Sequence, residues 1–170
     1  MNDSVSLVLD DSAYMRVIDE LDVTQLYVDG LNDPEVNQFL NAPRSQMQTI
    51  ASVEAFVRMN RESDSSLLFG LYVHDILRGT LRLHDAVEGN VFLGLALFDK
   101  RIWGQGWGRK MINAATHYAL ETMQVRKVSA GIDVGNISSQ KAFSAVGYER
   151  NRLLDKSSDH GVVQIWELVR

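Results

Sequence analysis

The feature that most constrains this chain is an apolar run followed by three glycines at alternate positions, directly ahead of a helical pattern. Residues 91–98 are apolar throughout, as expected for a strand that is buried on both faces. Gly104, Gly106 and Gly108 follow the run, and from Arg109 to Thr122 apolar residues recur at helical spacing. Glycine permits positive φ and the close approach of a ligand to the backbone. The segment therefore predicts a buried strand that turns tightly into a helix.

The start of such a helix can bind an anion, because its first amides are unpaired and lie at the positive end of the helix dipole. A phosphate or pyrophosphate is the expected guest, and Arg101, Arg109 and Lys110 add positive charge. Two nucleotide-binding motifs do not fit. The P-loop needs Gly-Lys-Ser/Thr at the end of its loop, and the Rossmann fingerprint spaces its last glycine differently. A tight turn that binds nothing stays open as the alternative.

Length and composition exclude several classes of protein. The 170 residues correspond to one domain, 1–170, whose first twelve residues are expected to form an arm or a loose edge strand. The absence of cysteine excludes disulfide scaffolds, thiolate zinc sites and cysteine nucleophiles. Four histidines without a His-x-x-x-His spacing predict no metal site. The net charge of −5 argues against nucleic acid as a partner.

The sequence also bears on the cellular compartment. The first residues are polar and acidic, without the basic region that precedes the apolar stretch of a secretory signal. The longest apolar runs are far shorter than a membrane span. We therefore expect a cytoplasmic protein without a membrane partner.

The secondary-structure pattern predicts an α/β or α+β domain, with a twisted mixed sheet of about six to seven strands flanked by helices. Predicted strands cover residues 14–17, 67–74, 77–83, 91–98, 127–132, 148–153 and 162–169. Predicted helices end near residue 31 after a cap at Asp22 or Thr24, start at Pro34 and at Ser45, and cover 109–122 and 138–145. Pro43 is expected to break the chain.

The glycine segment resembles the acyl-CoA-binding motif of the GNAT superfamily of N-acetyltransferases, in which Gln/Arg-x-x-Gly-x-Gly/Ala follows a strand. The matching hexapeptide is Trp103-Gly104-Gln105-Gly106-Trp107-Gly108. Trp103 replaces the usual Gln or Arg, as in the branch that contains the ribosomal-protein N-terminal acetyltransferases. An alternative frame that starts at Arg101 restores the basic residue. The resemblance implies that this hexapeptide and Arg109 hold the pyrophosphate of acetyl-CoA.

Two further stretches resemble the same family. Residues 136–148 match Asn-x-x-Ser/Ala-x-x-x-Tyr-x-x-x-Gly-Phe, which implies that Asn136 and Ser139 face the coenzyme and that Gly147 ends a helix. Residues 31–36 resemble the Asn-Asp-Pro-Glu-Val stretch of the ribosomal branch. The resemblance covers residues 14–170 and implies a V-shaped splay between two central strands.

The resemblance also indicates where catalytic groups belong. The donor to the developing oxyanion is a backbone amide of the buried strand, here near Leu95, Ala96 and Leu97. The tyrosine that often protonates the leaving thiolate corresponds to Phe143, which cannot donate a proton. Tyr148, five residues further on, is the remaining candidate for this catalytic role.

His84 and Glu88 are the candidate bases, because His84 ends the strand that is expected to neighbour the buried one and Glu88 follows on the connecting loop. Since the sequence shows no second residue to orient the His84 imidazole, an acceptor that arrives neutral is the favoured alternative.

The sequence thus predicts transfer of an acetyl group from acetyl-CoA to a primary amine, by direct attack in a ternary complex and without a metal. The acceptor is either a protein N-terminus or a small molecule such as a nucleotide-linked amino sugar. The alternatives are a non-catalytic acyl-CoA-binding domain and a nucleotide-binding module. The acyl-chain preference and the oligomeric state are open, with a homodimer as one option.

Overall fold

The computed structural model describes residues 5–170, with only the backbone described at positions 41 and 42. The strands of this part of the chain are β1 Ser6–Asp10, β2 Ala13–Val17, β3 Leu67–Val73, β4 Ile76–Val87, β5 Asn90–Ala96, β6 Lys127–Asp133, β7 Glu149–Arg150, β8 Lys156–Ser158 and β9 Gly161–Val169. Its α-helices are α1 Gln25–Asn32, α2 Pro34–Asn37, α3 Asn41–Ser45, α4 Ile50–Arg61, α5 Trp107–Glu121 and α6 Ile137–Val146. Short 3-10 helices cover Glu20–Asp22, Lys100–Ile102 and Arg152–Leu154.

One mixed sheet organises the fold. Its strand order is β1-β2-β3-β4-β5-β6-β9-β7, with β8 pairing to β9. The β5–β6 pair is parallel, and the other neighbours in the sheet are antiparallel. The predicted mixed sheet is confirmed, but over residues 5–170 it has nine strands rather than six to seven. The additional strands are β1 and β8, whose residues are partly or fully exposed and carry little apolar pattern. The predicted N-terminal arm is an edge strand over Ser6–Asp10, and its residues 1–4 lie outside the described residues.

Local capping chemistry fixes most helix ends. The Thr24 side chain accepts from the Tyr27 amide and starts α1, and Asp33 caps α2 with Pro34 at the first turn, as predicted. The predicted helix start at Ser45 is wrong, since Ser45 ends α3 and the cap of α4 is Thr49. Pro43 lies inside α3 instead of breaking the chain. Proline is tolerated there because the first turn of a helix needs no donated amide.

Three other predicted boundaries differ from the structure. The strand predicted over 148–153 is reduced to β7, because the Asn151 side chain accepts from the Leu153 amide and starts a 3-10 turn. The strand predicted over 91–98 ends at Ala96. In β5 only Val91 and Leu93 are buried, and the other five residues of the strand are half-buried, so the strand is not fully covered on both faces. Helix α5 starts at Trp107, two residues before the predicted start at Arg109.

An apolar core lies on each face of the sheet. The larger core joins one face to α5 and α6 through residues such as Phe69, Leu81, Leu93, Met111 and Phe143. The smaller core joins the opposite face to α1, α2 and α4. Among the described residues, no helix is both long and apolar enough to cross a membrane.

Candidate active site

The two central strands, β5 and β6, separate in the middle of the sheet. Their parallel pairing covers three residue pairs and stops at Phe92 and Ser129. Strand β5 nevertheless continues along β4 as far as Ala96, and β6 continues along β9 as far as Asp133. The facing edges beyond Phe92 therefore have no strand partner, which leaves every second backbone amide free. This gap is the V-shaped splay that the sequence predicted.

The glycine loop lies at the open end of this V. Gly104 and Gly106 have φ of 72° and 83°, and a Cβ atom added at either would meet nothing within 4 Å. Gly106 is the N-cap of α5 and provides no side-chain cap, so the first amides of the helix have no acceptor within it. Gly108 packs beside Leu95 and Leu97, whose methyl groups lie 3.8 and 3.9 Å from its ideal Cβ position.

The tryptophans and the glutamine of the loop hold its backbone. Trp103 is 39% exposed, and its Nε1 donates to the Leu97 carbonyl at 2.8 Å. Gln105 donates to the Arg101 carbonyl at 3.0 Å and accepts from Trp107 Nε1 at 3.2 Å. Trp107 is buried, and the Lys110 ammonium lies 4.4 Å from the centroid of its ring.

Most basic side chains near the loop are already paired with acids. Lys100 binds Asp33 and Glu35 at 2.7 and 2.9 Å, Arg101 binds Asp99, and Lys110 binds Asp10. Arg109 is the one basic residue of positions 100–110 without an acidic partner among the residues that the structure describes. The sequence analysis assigned positive charge at the loop to Arg101, Arg109 and Lys110. Because Arg101 and Lys110 are paired with acids, Arg109 is the side chain whose charge is available to a ligand.

Residues 136–148, the second stretch that resembles the family, lie partly on the surface and partly in the core. Asn136 and Ser139 are half-buried at the start of α6, where the Asn136 side chain accepts from the Ser139 amide at 3.2 Å. Gly147 ends this helix with φ of 108°, as predicted.

Phe143 and Tyr148 are each only 2% exposed, and their rings pack edge to face at 4.9 Å. The Tyr148 hydroxyl lies 2.7 Å from Thr116 Oγ1. Burial raises the pKa of Tyr148 well above its usual value, against the hydrogen bond with Thr116. We therefore leave Tyr148 out of the proposed catalytic groups.

The two candidate bases lie in different places. His84 is opposite Phe92, on the face covered by α1, α2 and α4 and at the vertex of the V. Its Nδ1 is 2.9 Å from the Asp85 carboxylate, a partner that the sequence did not single out. Glu88 has φ of 52° in the β4–β5 turn at the closed end of the V, and its carbonyl accepts from Arg126 at 3.0 Å. The structure therefore does not bring Glu88 to the cleft.

Two residues of this region, Gly94 and Asp99, escaped the sequence analysis. Gly94 pairs with Arg82 on the same face as His84, and a Cβ atom at Gly94 would meet nothing within 4 Å, so it leaves room at the splay. Asp133 ends β6 and lies 3.5 Å from Arg44 of α3. Asp99, at the base of the loop, is a carboxylate with only 3% exposure. Strand pairing and long-range ion pairs place these groups, and no local motif marks them.

The observed features fit a nucleotide-linked thioester. The open, uncapped helix start and Arg109 suit a pyrophosphate, and the free strand edges suit the amides of an extended pantetheine arm. A metal is not required for this arrangement. Among the described residues, no group of three or more His, Asp or Glu side chains could hold one.

Comparison with known proteins gives the same family. The profile of the acetyltransferase (GNAT) domain matches residues 13–149. A Bacillus subtilis protein, YkkB, is 23% identical over 163 residues, covering 92% of each chain. The spermine/spermidine N(1)-acetyltransferase of the same organism is 24% identical over 132 residues, covering 74% of this chain and 87% of that protein. RimL, a ribosomal α-N-protein acetyltransferase solved with coenzyme A, superposes with a TM-score of 0.83 at 16% identity, covering 97% of this chain and 98% of the other. With its splayed sheet and open glycine loop, the chain belongs to the GNAT superfamily of acetyltransferases.

Proposed function

We propose that this protein transfers an acetyl group from acetyl-CoA to a primary amine, with both substrates bound at once. The observation that carries the proposal is the continuity of the splay with the glycine loop. The parallel pairing stops at Phe92, and the uncapped start of α5 follows the end of the same strand. One continuous cleft can thus hold a pyrophosphate at one end and a thioester at the other.

Each end of the cleft has its own chemical task. Acetyl-CoA supplies an activated acetyl thioester. The amides of 104–109 and the Arg109 side chain bind phosphate oxygens, while Asn136 and Ser139 border the coenzyme at the start of α6. A free amide of β5 or of the residues just after it, near Leu95, Ala96 and Leu97, donates to the carbonyl oxygen as charge develops there. Because Phe143 and Tyr148 are buried, solvent protonates the thiolate, whose ordinary pKa of about 8.5 makes it a good leaving group.

His84 is the proposed base. Asp85 can accept the Nδ1 proton, which leaves Nε2 free to take a proton from the acceptor's ammonium group, so that the neutral amine can attack the thioester. Asp85 thus orients the His84 imidazole, for which the sequence showed no partner, and this contact favours His84 over Glu88 as the base. The base matters less for an acceptor with an α-amine, since a pKa of about 7.7–8.0 leaves part of that amine neutral at pH 7.

The acceptor is a protein N-terminus or a small-molecule amine. RimL and the spermine/spermidine enzyme, by their names, represent one of each. A panel should therefore contain an N-terminal peptide, spermidine and a nucleotide-linked amino sugar. Thiol release from acetyl-CoA that depends on one of these amines is the expected result.

A pure binding domain would instead show CoA affinity without thiol release. A nucleotide-binding module would bind ATP in competition with CoA at the glycine loop. Either outcome contradicts the proposal.

A further inference from the structure

We infer that Asp99 is the positioning residue of the coenzyme loop, and that it presents the amides of 104–109 to the phosphate groups. The inference rests on the proposed function. Asp99 follows the end of β5 and precedes the 3-10 turn Lys100–Ile102, which leads into the glycines. Its residue surface is 3% exposed although its neighbours in the turn, Lys100 and Arg101, are exposed. A buried carboxylate needs compensation by cations or donors.

The Asp99 carboxylate has donors on both of its oxygen atoms. Oδ1 accepts from the Arg101 amide at 3.1 Å and from Arg101 Nε at 2.8 Å. Oδ2 accepts from Arg101 Nη2 at 2.9 Å and from Arg78 Nη1. The backbone adds two bonds, since the Asp99 amide donates to Arg78 and the Asp99 carbonyl accepts from Ile102, each at 3.2 Å. Asp99 therefore ties the turn to strand β4.

The first half of the glycine loop is held by that same turn. The Trp103 amide donates to the Lys100 carbonyl at 3.1 Å, and Gln105 Nε2 donates to the Arg101 carbonyl at 3.0 Å. The glycines that follow have no side chains and open surroundings, so they cannot fix their own conformation. The position of the phosphate-binding amides therefore depends on the turn, and the turn depends on Asp99. Holding these donors in place before binding reduces the entropy cost of binding.

Asp99 also determines which cation is available for phosphate. It neutralises Arg101, which the alternative motif frame would assign to the coenzyme. Arg78 is 15% exposed at its side chain and lies on β4, so it acts on the loop through Asp99. Loss of Asp99 or of Arg78 should therefore loosen the loop without a direct effect on contacts with the bound coenzyme.

The test compares two acetyl donors that differ only in the part the loop should bind. Acetyl-CoA carries the nucleotide and pyrophosphate, whereas S-acetylpantetheine lacks both. Asp99→Asn is nearly isosteric, and it should lower kcat/KM for acetyl-CoA at least about tenfold through KM. The same variant should change kcat/KM for S-acetylpantetheine less than about twofold. Asp155→Asn is the matched control, because it removes another arginine-paired carboxylate, that of Arg150 next to β9 and away from the glycine loop, and should change neither value.

The outcomes separate the inference from the proposed function. An equal loss with both donors means a general structural role for Asp99 and overturns the inference, as does an unchanged KM for acetyl-CoA in folded Asp99→Asn. If that variant does not fold, Arg78→Gln provides the same test, and the absence of a selective loss in Arg78→Gln overturns the inference. A wild-type protein that uses neither donor contradicts the proposed function instead.

Discussion

The indole Nε1 of Trp103 donates to the carbonyl of Leu97 at 2.8 Å, which joins the first residue of the glycine hexapeptide to the chain just beyond β5. The motif that this hexapeptide resembles has Gln or Arg at the position of Trp103. The contact indicates that Trp103 fixes the backbone of the loop and does not supply charge to it. Under the proposed function, the helix amides and Arg109 then compensate the negative charge of the phosphates. The next two predictions, on Gly106 and Arg109, test these two contributions separately.

Gly106→Val should weaken binding of CoA by more than about tenfold, or roughly 1.4 kcal/mol. The added side chain would project into the open space that the phosphates should occupy, and the left-handed φ of 83° would add backbone strain. Isothermal titration calorimetry gives the affinity. Gly161→Val is the control, because Gly161 also has positive φ and open surroundings but lies in the β8–β9 hairpin. Equal affinity in folded Gly106→Val would show that the loop is only a tight turn.

Arg109→Gln should lower CoA affinity about three- to tenfold and reduce the dependence of that affinity on salt. Arg109 is exposed at the first turn of α5 and has no acidic partner within the described part of the chain, so a bound phosphate can recruit it at little cost. Lys110→Gln should have a smaller effect, since Lys110 is already paired with Asp10. Titrations at two salt concentrations measure both quantities. A larger effect of Lys110→Gln would contradict the assignment.

Phe143→Tyr should make the protein less stable and no faster. The ring lies in the larger core against Tyr148, and a buried hydroxyl without a partner costs about 1–3 kcal/mol. Thermal unfolding and steady-state turnover test both parts. Tyr148→Phe is the companion variant, and it should keep most activity because its hydroxyl is buried against Thr116. A Phe143→Tyr enzyme that is as stable as the wild type and faster would contradict this prediction.

Patterns local in the sequence predicted much of the fold. The alternate glycines, the Thr24 and Asp33 caps and Gly147 each specify a backbone conformation through their own chemistry, and the structure confirms those caps and turns. The sequence predicted a mixed sheet, and the parallel pair in that sheet is β5 with β6, which α5 connects. Local patterns failed where the chain pairs without a distinctive sequence, as in β8, and where Asn151 supplies a competing turn.

The site was predictable to a smaller extent. The glycine loop was found because its residues are contiguous, whereas Asp99 and Arg78 are brought together across 21 positions. Asp85 could have been considered as a partner of His84, being its neighbour. Adjacent strand residues normally point to opposite faces, and the positive φ of 52° at Asp85, beside a register shift, is what allows the contact.

Acid should remove part of the stability that Asp99 provides. Hydrogen bonds from Arg101, and then from Arg78, lower the pKa of Asp99 to about 2, against burial, which raises it. A folded-state pKa below the unfolded value of about 3.9 stabilises the protein above that value, and this contribution is lost as the pH falls toward 2. Urea unfolding of wild type and Asp99→Asn should therefore differ most above pH 5 and converge near pH 2. A difference that stays constant over this range would exclude the ionised carboxylate as its source.

His84→Ala should lower turnover by about 10²-fold, within the range for loss of a general base, whereas Glu88→Ala should keep most activity. His84 lies at the vertex of the V with its Nδ1 held by Asp85, and Glu88 lies in a turn at the closed end. The pH profile of kcat/KM, measured with two acceptors of different amine pKa, separates an enzyme base from a neutral acceptor. If His84 is the base, one inflection of the pH profile stays at the same pH when the acceptor changes, and that inflection is absent in His84→Ala. If every inflection follows the acceptor and His84→Ala retains its activity, the amine arrives neutral and His84 is not the base.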